Sequence, residues 1–222
     1  MTEVVVATDE EQLLSRISNL VARAADDAIS RDDRIFRFGV SGGSMVELLA
    51  KCLPNIATDW SKWRFFFCDE RVVPLEDPES NFGLYKTNFI GKVPVTEEQF
   101  IKVDPELNGV LPRFDCLLLG LGQDGHTCSL FPGHRTLDDE NMWVTWELNS
   151  PKPPSSRISL TMPVINNARM CVFIATGAGK AEIVEKVLRD KKDLPATRVE
   201  PVDGTLFWLL DQEAASRLHN TE

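Results

Sequence analysis

The sequence predicts an α/β fold, a doubly wound and mostly parallel Rossmann-like sheet with helices on both faces, as a single domain over residues 1–222. Strand-like apolar runs alternate along the chain with segments of helical apolar spacing, the pattern of repeated βαβ units. Several strand candidates are apolar on both faces, as parallel strands covered by helices are. Glycines and polar residues follow these strands directly, where open α/β sheets bind their ligands.

The predicted strands are short runs of apolar and β-branched residues bounded by glycine, proline or polar residues. In chain order they are Val4–Thr8, Ile35–Val40, Phe65–Cys68, Cys116–Leu119, Arg157–Met162, Met170–Ala175 and Leu206–Leu210. Cys116–Leu119 is apolar throughout, which is typical of a strand buried on both faces.

Helical spacing fills the segments between these strands. Thr8 and Glu11 have the spacing of a capping box, and the helix that they would start keeps one apolar face through Ile29. The further predicted helices are one carrying Val46 to Leu53, then Asn81–Phe89, Ala181–Arg189 and a terminal helix after Leu210.

Composition excludes several classes of function. With 222 residues, of which 43% are hydrophobic, the chain can bury a substantial core. A net charge of −10 argues against a nucleic-acid partner, and no apolar run reaches the length of a membrane span. The N-terminus lacks the pattern of a signal peptide, and five cysteines without a C-x-x-C pair are typical of reduced thiols. We therefore expect a cytoplasmic protein without a membrane partner.

The segment Asp115–His134 is the most informative of the chain. A predicted buried strand is followed by a glycine-rich loop that carries the carboxylate of Asp124 and the imidazole of His126. A lone histidine in a loop is more often structural. The aspartate and the glycines beside it favour a catalytic function, because such a loop lies at the ligand-binding edge of the sheet.

Gly120, Gly122 and Gly125 also match the G-x-G-x-x-G pattern of dinucleotide binding, with Glu147 downstream as a ribose-binding acid. That pattern requires the third glycine to open a helix, but Pro132 follows within two turns. The sequence therefore disfavours a nucleotide cofactor.

Other polar groups at strand ends predict an anion site. Glycine-rich turns at helix starts expose backbone N–H groups to an anion, and Arg and Lys side chains add charge. The residues predicted to hold a phosphate group are Ser41, Gly42, Gly43, Ser44, Arg157 and Lys180. Asp69-Glu70-Arg71 ends another strand, so this group and His126 are expected over the reactive end of a small phosphorylated ligand.

These motifs resemble the 6-phosphogluconolactonases of the glucosamine-6-phosphate isomerase/deaminase superfamily. The resemblance runs almost end to end, and CDER and DGHTCSLFP are its most specific parts. The matching segments are GVSGGS (39–44), FFFCDERVVPLEDPESNFGLYKTNFI (65–90), FDCLLLGLGQDGHTCSLFPGH (114–134), SPKPPSSRISLTMPVINNA (150–168), GAGKAEIV (177–184), LPATRVEP (194–201) and LFWLLDQEAA (206–215).

The resemblance implies a hydrolase without cofactor or metal that opens 6-phospho-D-glucono-1,5-lactone in the oxidative pentose phosphate pathway. It implies that His126 is the general base, with Asp124, Asp69 and Arg71 at the reacting end. An imidazole suits the deprotonation of water at neutral pH, and Arg71 or loop N–H groups can stabilise the oxyanion.

Two other functions stay open. One is an amino-sugar-phosphate deaminase/isomerase with Asp69 as its main base, and the other is a non-catalytic sugar-phosphate sensor. Glu70-Arg71 and HTCSLFP favour the lactonase, and no DNA-reading module is visible.

Two departures from the family pattern stand out. Ser44 is followed by Met45 and Val46 instead of Thr-Pro, and the crossover at Asp104–Arg113 is short. Parallel strands need a connection of a dozen residues or more. We therefore expect reduced stability or stronger self-association, in a chain that is otherwise a monomer or a weak homo-oligomer.

Overall fold

The computed structural model describes residues 1–31, 34–101 and 111–218. Its main sheet has seven parallel strands in the order β1-β10-β9-β6-β2-β3-β5, and a second sheet has three antiparallel strands in the order β4-β8-β7. The strands are β1 Thr2–Ala7, β2 Phe36–Val40, β3 Trp63–Phe67, β4 Asp69–Arg71, β5 Phe100–Ile101, β6 Cys116–Leu119, β7 Val144–Glu147, β8 Arg157–Leu160, β9 Met170–Ala175 and β10 Thr205–Asp211.

Helices cover the main sheet on both faces. They are α1 Glu10–Ile29, α2 Ser44–Cys52, α3 Asn81–Asn88, α4 Met162–Asn166 and α5 Ala181–Val184, and α5 continues as a wider π-helical turn over Glu185–Arg189. Side chains of α1, α2 and α3 belong to one apolar core, and those of α4 and α5 belong to the other.

Strand β6 is apolar throughout because it lies between the two apolar cores. Cys116 and Leu118 enter the core under α1 and α2, whereas Leu117 and Leu119 enter the core under α4 and α5. Adjacent residues of a strand point to opposite faces, so a central strand of a covered sheet has no polar side. The predicted α/β class, the parallel sheet and the helices on both faces are confirmed.

Several predicted elements differ in their bounds. Asp9, and not Thr8, caps α1, because its carboxylate accepts from the backbone N–H of Gln12 at 2.8 Å. The strand predicted over Arg157–Met162 ends at Leu160. Met162 begins α4 instead, where a proline fits the first helical turn.

The predicted terminal helix is absent from the described residues. Residues 212–218 form successive turns, with N–H groups of Ser216 and Leu218 donating three residues back. Most of the short crossover at 104–113 lies outside the described residues. The strand after it, β6, is fully buried.

The antiparallel sheet was not predicted, and it positions part of the site. Strand β4 follows β3 almost directly, leaves the main sheet and pairs with β8. No helix within the described residues is long and apolar enough to cross a bilayer.

Candidate active site

A cavity of about 330 Å³ lies where the loops after β2 and β6 meet the antiparallel sheet. Eight of the ten predicted site residues line it: Ser41, Gly42, Gly43, Asp69, Arg71, His126, Arg157 and Lys180. The other two do not line the cavity. Ser44 is the exposed first residue of α2, and Asp124 contacts the ring of His126. The predicted residues from five separate segments of the sequence therefore converge on one pocket.

His126 is oriented by Asp124. Its ring nitrogen Nδ1 lies 2.5 Å from Oδ1 of Asp124, and its backbone N–H donates to the same oxygen at 3.2 Å. Burial by itself would raise the pKa of Asp124. The hydrogen bonds from His126 and the charge of its protonated ring have the larger effect, so the pKa of Asp124 lies below its ordinary value. Because an ionised carboxylate only accepts, Nδ1 carries the proton and Nε2 is left as the basic nitrogen.

Burial lowers the pKa of His126 below its ordinary value, against the opposing influence of Asp124. The imidazole is therefore neutral at neutral pH, as a base must be. Its ring packs on Phe131, with the centroids 4.6 Å apart.

Gly122 makes this arrangement possible. A Cβ atom at Gly122 would lie 1.9 Å from Nδ1 of His126 and 2.5 Å from Oδ1 of Asp124. Gly125 has a φ of 84°, and the backbone between the two glycines turns back, with the N–H of Gly122 donating to the carbonyl of His126 at 2.8 Å. No helix begins at Gly125, so the glycines serve a tight loop and not a dinucleotide site.

The Asp69-Glu70-Arg71 cluster divides between two functions. Asp69 and Arg71 line the cavity, and Ser129 donates to the carboxylate of Asp69 at 2.7 Å. Glu70 accepts from the backbone N–H groups of Asn81 and Phe82, at 2.7 and 2.8 Å, and so caps the start of α3. The alternation of a strand separates the middle residue from its two neighbours.

Two predicted cations are held by backbone oxygens. Arg157 is 4% exposed and donates to the carbonyls of Lys152, Pro153 and Pro154 at 3.0–3.2 Å. Lys180 donates to the carbonyl of Leu121 at 2.5 Å. Burial lowers the pKa of each, yet both ordinary values lie far above neutrality, and both side chains remain charged.

The loop before α2 offers backbone N–H groups more than hydroxyls. The hydroxyl of Ser41 donates its only proton to the carbonyl of Leu118 at 2.9 Å. Gly43 has a φ of 65°, a conformation that favours glycine. Gly42 packs so closely on the buried Asn81 that a Cβ atom would lie 1.8 Å from its amide oxygen.

Sequence reasoning missed two residues of this region. Lys152 lines the cavity. The sequence feature that could have indicated it is its place in the proline-rich loop just before Arg157. Asn81 donates its amide to the backbone oxygen of Asp69 at 2.8 Å, and no local motif indicated that contact.

Cys128 also lines the cavity, but its thiol is unsuited to nucleophilic attack. A hydrogen bond with Cys68 and burial raise its pKa well above the usual range. All five cysteines are buried free thiols, as the sequence indicated. Within the described ranges, no three His, Cys, Asp or Glu side chains are grouped as metal ligands.

The cavity is positive in a chain of net charge −10. Arg71, Lys152, Arg157 and Lys180 line it together with a single carboxylate, that of Asp69. Such a site attracts a small anion, and a neutral imidazole oriented by a carboxylate supplies a base beside it.

Comparisons with known proteins find similar sequences and similar folds. The family model described as glucosamine-6-phosphate isomerases/6-phosphogluconolactonase matches residues 8–208. The chain is 39% identical to 6-phosphogluconolactonase of Rattus norvegicus and 40% identical to that of Homo sapiens, each match covering 96% of this chain and 92% of the relative. The rat alignment extends over 237 residues, more than the 222 of this chain, so the relative has residues without a counterpart here.

The fold has a match among solved structures. The 6-phosphogluconolactonase of Thermotoga maritima superposes with a TM-score of 0.80 at 24% identity, covering 95% of this chain and 100% of that one. At this identity the likeness shows the shared α/β fold.

Proposed function

The chain belongs to the glucosamine-6-phosphate isomerase/6-phosphogluconolactonase family, and we propose that it hydrolyses 6-phospho-D-glucono-1,5-lactone to 6-phospho-D-gluconate. The observation that carries the proposal is the Asp124–His126 pair in a cavity with four cations. The names of the relatives support the same substrate. We expect the reaction in the cytoplasm, as part of the oxidative pentose phosphate pathway.

His126 is the general base in this proposal. Its Nε2 removes a proton from water, and the resulting hydroxide attacks the ester carbonyl. The tetrahedral intermediate collapses, the ring C–O bond breaks, and the leaving oxygen takes up the proton held by His126 to become a hydroxyl. The carboxylic acid that forms loses its proton to solvent. Asp124 stabilises the imidazolium that forms, as the carboxylate partner of a catalytic histidine does.

The cations have separate functions at the two ends of the ligand. Arg157 and Lys180, with the N–H groups of the Ser41–Ser44 loop, bind the phosphate, and we add Lys152 to this set. Arg71 lies two strand residues beyond Asp69, on the same face of β4, and stabilises the developing oxyanion. Burial of the cavity walls strengthens both interactions, because fewer waters screen the charges.

His126→Ala tests the proposal. Proton release after addition of freshly made lactone is compared with the spontaneous rate, and the variant should lose about a hundredfold or more in turnover. It should retain binding of 6-phosphogluconate, which shows that the pocket is intact. Full turnover in a folded variant would remove His126 from the mechanism.

The same preparation distinguishes the other members of the family. A deaminase would release ammonia from glucosamine 6-phosphate, and a sensor would bind sugar phosphates without turnover. Ammonia release together with no acceleration of lactone opening would overturn the proposed activity.

A further inference from the structure

Glu147 is a buried carboxylate next to the proposed phosphate site. It is 3% exposed and ends β7, where it pairs directly with Arg157 of β8. Arg157 in turn pairs directly with Arg71 of β4. Directly opposite residues of antiparallel strands share a face with their Cβ atoms about 4.5–5.5 Å apart, so the three side chains form one charged row.

The carboxylate of Glu147 is held by groups other than Arg157. It accepts from the backbone N–H of Asn149 at 2.8 Å and from the hydroxyl of Thr136 at 3.1 Å, and Nδ1 of His134 lies 2.9 Å away. Burial raises its pKa, but these hydrogen bonds outweigh burial and leave the pKa below the ordinary value. Glu147 is therefore ionised, and the sheet pairing keeps its charge beside Arg157.

We propose that Glu147 is a counter-charge that weakens the hold of the cavity on anions, so that the product of the reaction can leave. This inference rests on the proposed function, because opening a lactone converts a neutral ester into a carboxylate. The product carries one more negative charge than the substrate. Four lining cations against the single carboxylate of Asp69 would bind such a product tightly, and the charge of Glu147 offsets part of that attraction through the protein interior.

Glu147→Gln isolates the charge from the shape. Glutamine has the same length and keeps an oxygen that can accept from Thr136 and His134, although its amide nitrogen cannot accept from the N–H of Asn149. Titration calorimetry at about pH 8, where imidazoles are ordinarily neutral, should show 6-phosphogluconate and inorganic phosphate binding about threefold or more tightly to the variant. Product inhibition should become stronger by the same factor, and the difference should shrink at high salt.

Two control variants separate charge from packing. Thr136→Val removes a hydrogen bond to Glu147 but keeps its charge, so anion affinity should not rise. Glu11→Gln removes the same charge from an exposed position of α1 and should also leave affinity unchanged. If Glu147→Gln does not fold, Glu147→Met, an apolar residue of similar length, should show the same tightening.

Unchanged or weaker anion binding by folded Glu147 variants would overturn this inference. A wild-type chain that neither binds 6-phosphogluconate nor accelerates lactone opening would overturn the proposed function instead. The two failures are therefore distinguishable in one set of titrations.

Discussion

Gly122→Ala should disable catalysis while it leaves the fold and the anion site intact. The added methyl carbon would lie 1.9 Å from Nδ1 of His126 and 2.5 Å from Oδ1 of Asp124. An ordinary carbon contact needs at least about 3.4 Å, so the imidazole must move by more than about 1 Å. Misplacement of a reacting group by about 1 Å costs on the order of a hundredfold in rate.

The assay is proton release from freshly made 6-phosphogluconolactone, with kcat and KM measured separately. We expect kcat to fall by about a hundredfold, because the base is displaced. The Kd of 6-phosphogluconate should change little, because Arg157 is anchored by the carbonyls of Lys152, Pro153 and Pro154, which belong to a different segment. The melting temperature should fall modestly, since overpacking of this kind costs about 1–3 kcal/mol.

Gly120→Ala is the matched control within the same loop. A Cβ atom there meets no other atom within 4 Å, so His126 stays in place and kcat should remain near that of the wild type. Equal kcat values for the two alanine variants would refute the reasoning. That result would mean that the position of the His126 ring does not limit the rate.

Four further predictions concern the acid limb of the pH profile, the Asp124 carboxylate, the two phosphate-binding cations and the short crossover. Burial lowers the pKa of His126, and only the neutral ring is a base, so kcat/KM should be lost as the pH falls through a value below the ordinary ~6.5. Asp124→Asn removes an influence that raises this pKa and should shift that acid limb to still lower pH; a shift to higher pH would contradict the assignment. Arg157→Ala and Lys180→Ala should each weaken binding of 6-phosphogluconate by about tenfold or more, with little effect on gluconate, and equal losses for both ligands would assign the two cations to the fold. Insertion of an amphipathic helix into 104–113 should raise the melting temperature or reduce self-association in sedimentation, whereas identical melting and mass would show that the short crossover has no cost.

The sequence alone indicated the fold class and much of the site, because both follow from local patterns. A strand buried on two faces is apolar at every position, as Cys116–Leu119 is, and parallel strands bring their carboxyl ends to one edge. Glycines and charged residues that directly follow such strands in the sequence therefore lie at the carboxyl edge of the sheet, where α/β proteins bind ligands. For this reason the sequence predicts that Asp69, His126 and the loop that begins at Ser41 lie together, and residues of all three line one cavity.

Tertiary structure decided the contacts that join distant segments. Arg71 and Arg157 became neighbours because β4 leaves the main sheet and pairs with β8, and strand pairing across 86 positions leaves no local signal. The same pairing brought Glu147 beside Arg157, and the wrapping of a proline loop around Arg157 brought Lys152 into the cavity. Local patterns specify which segments form strands, whereas pairing between strands depends on the packing of the whole chain.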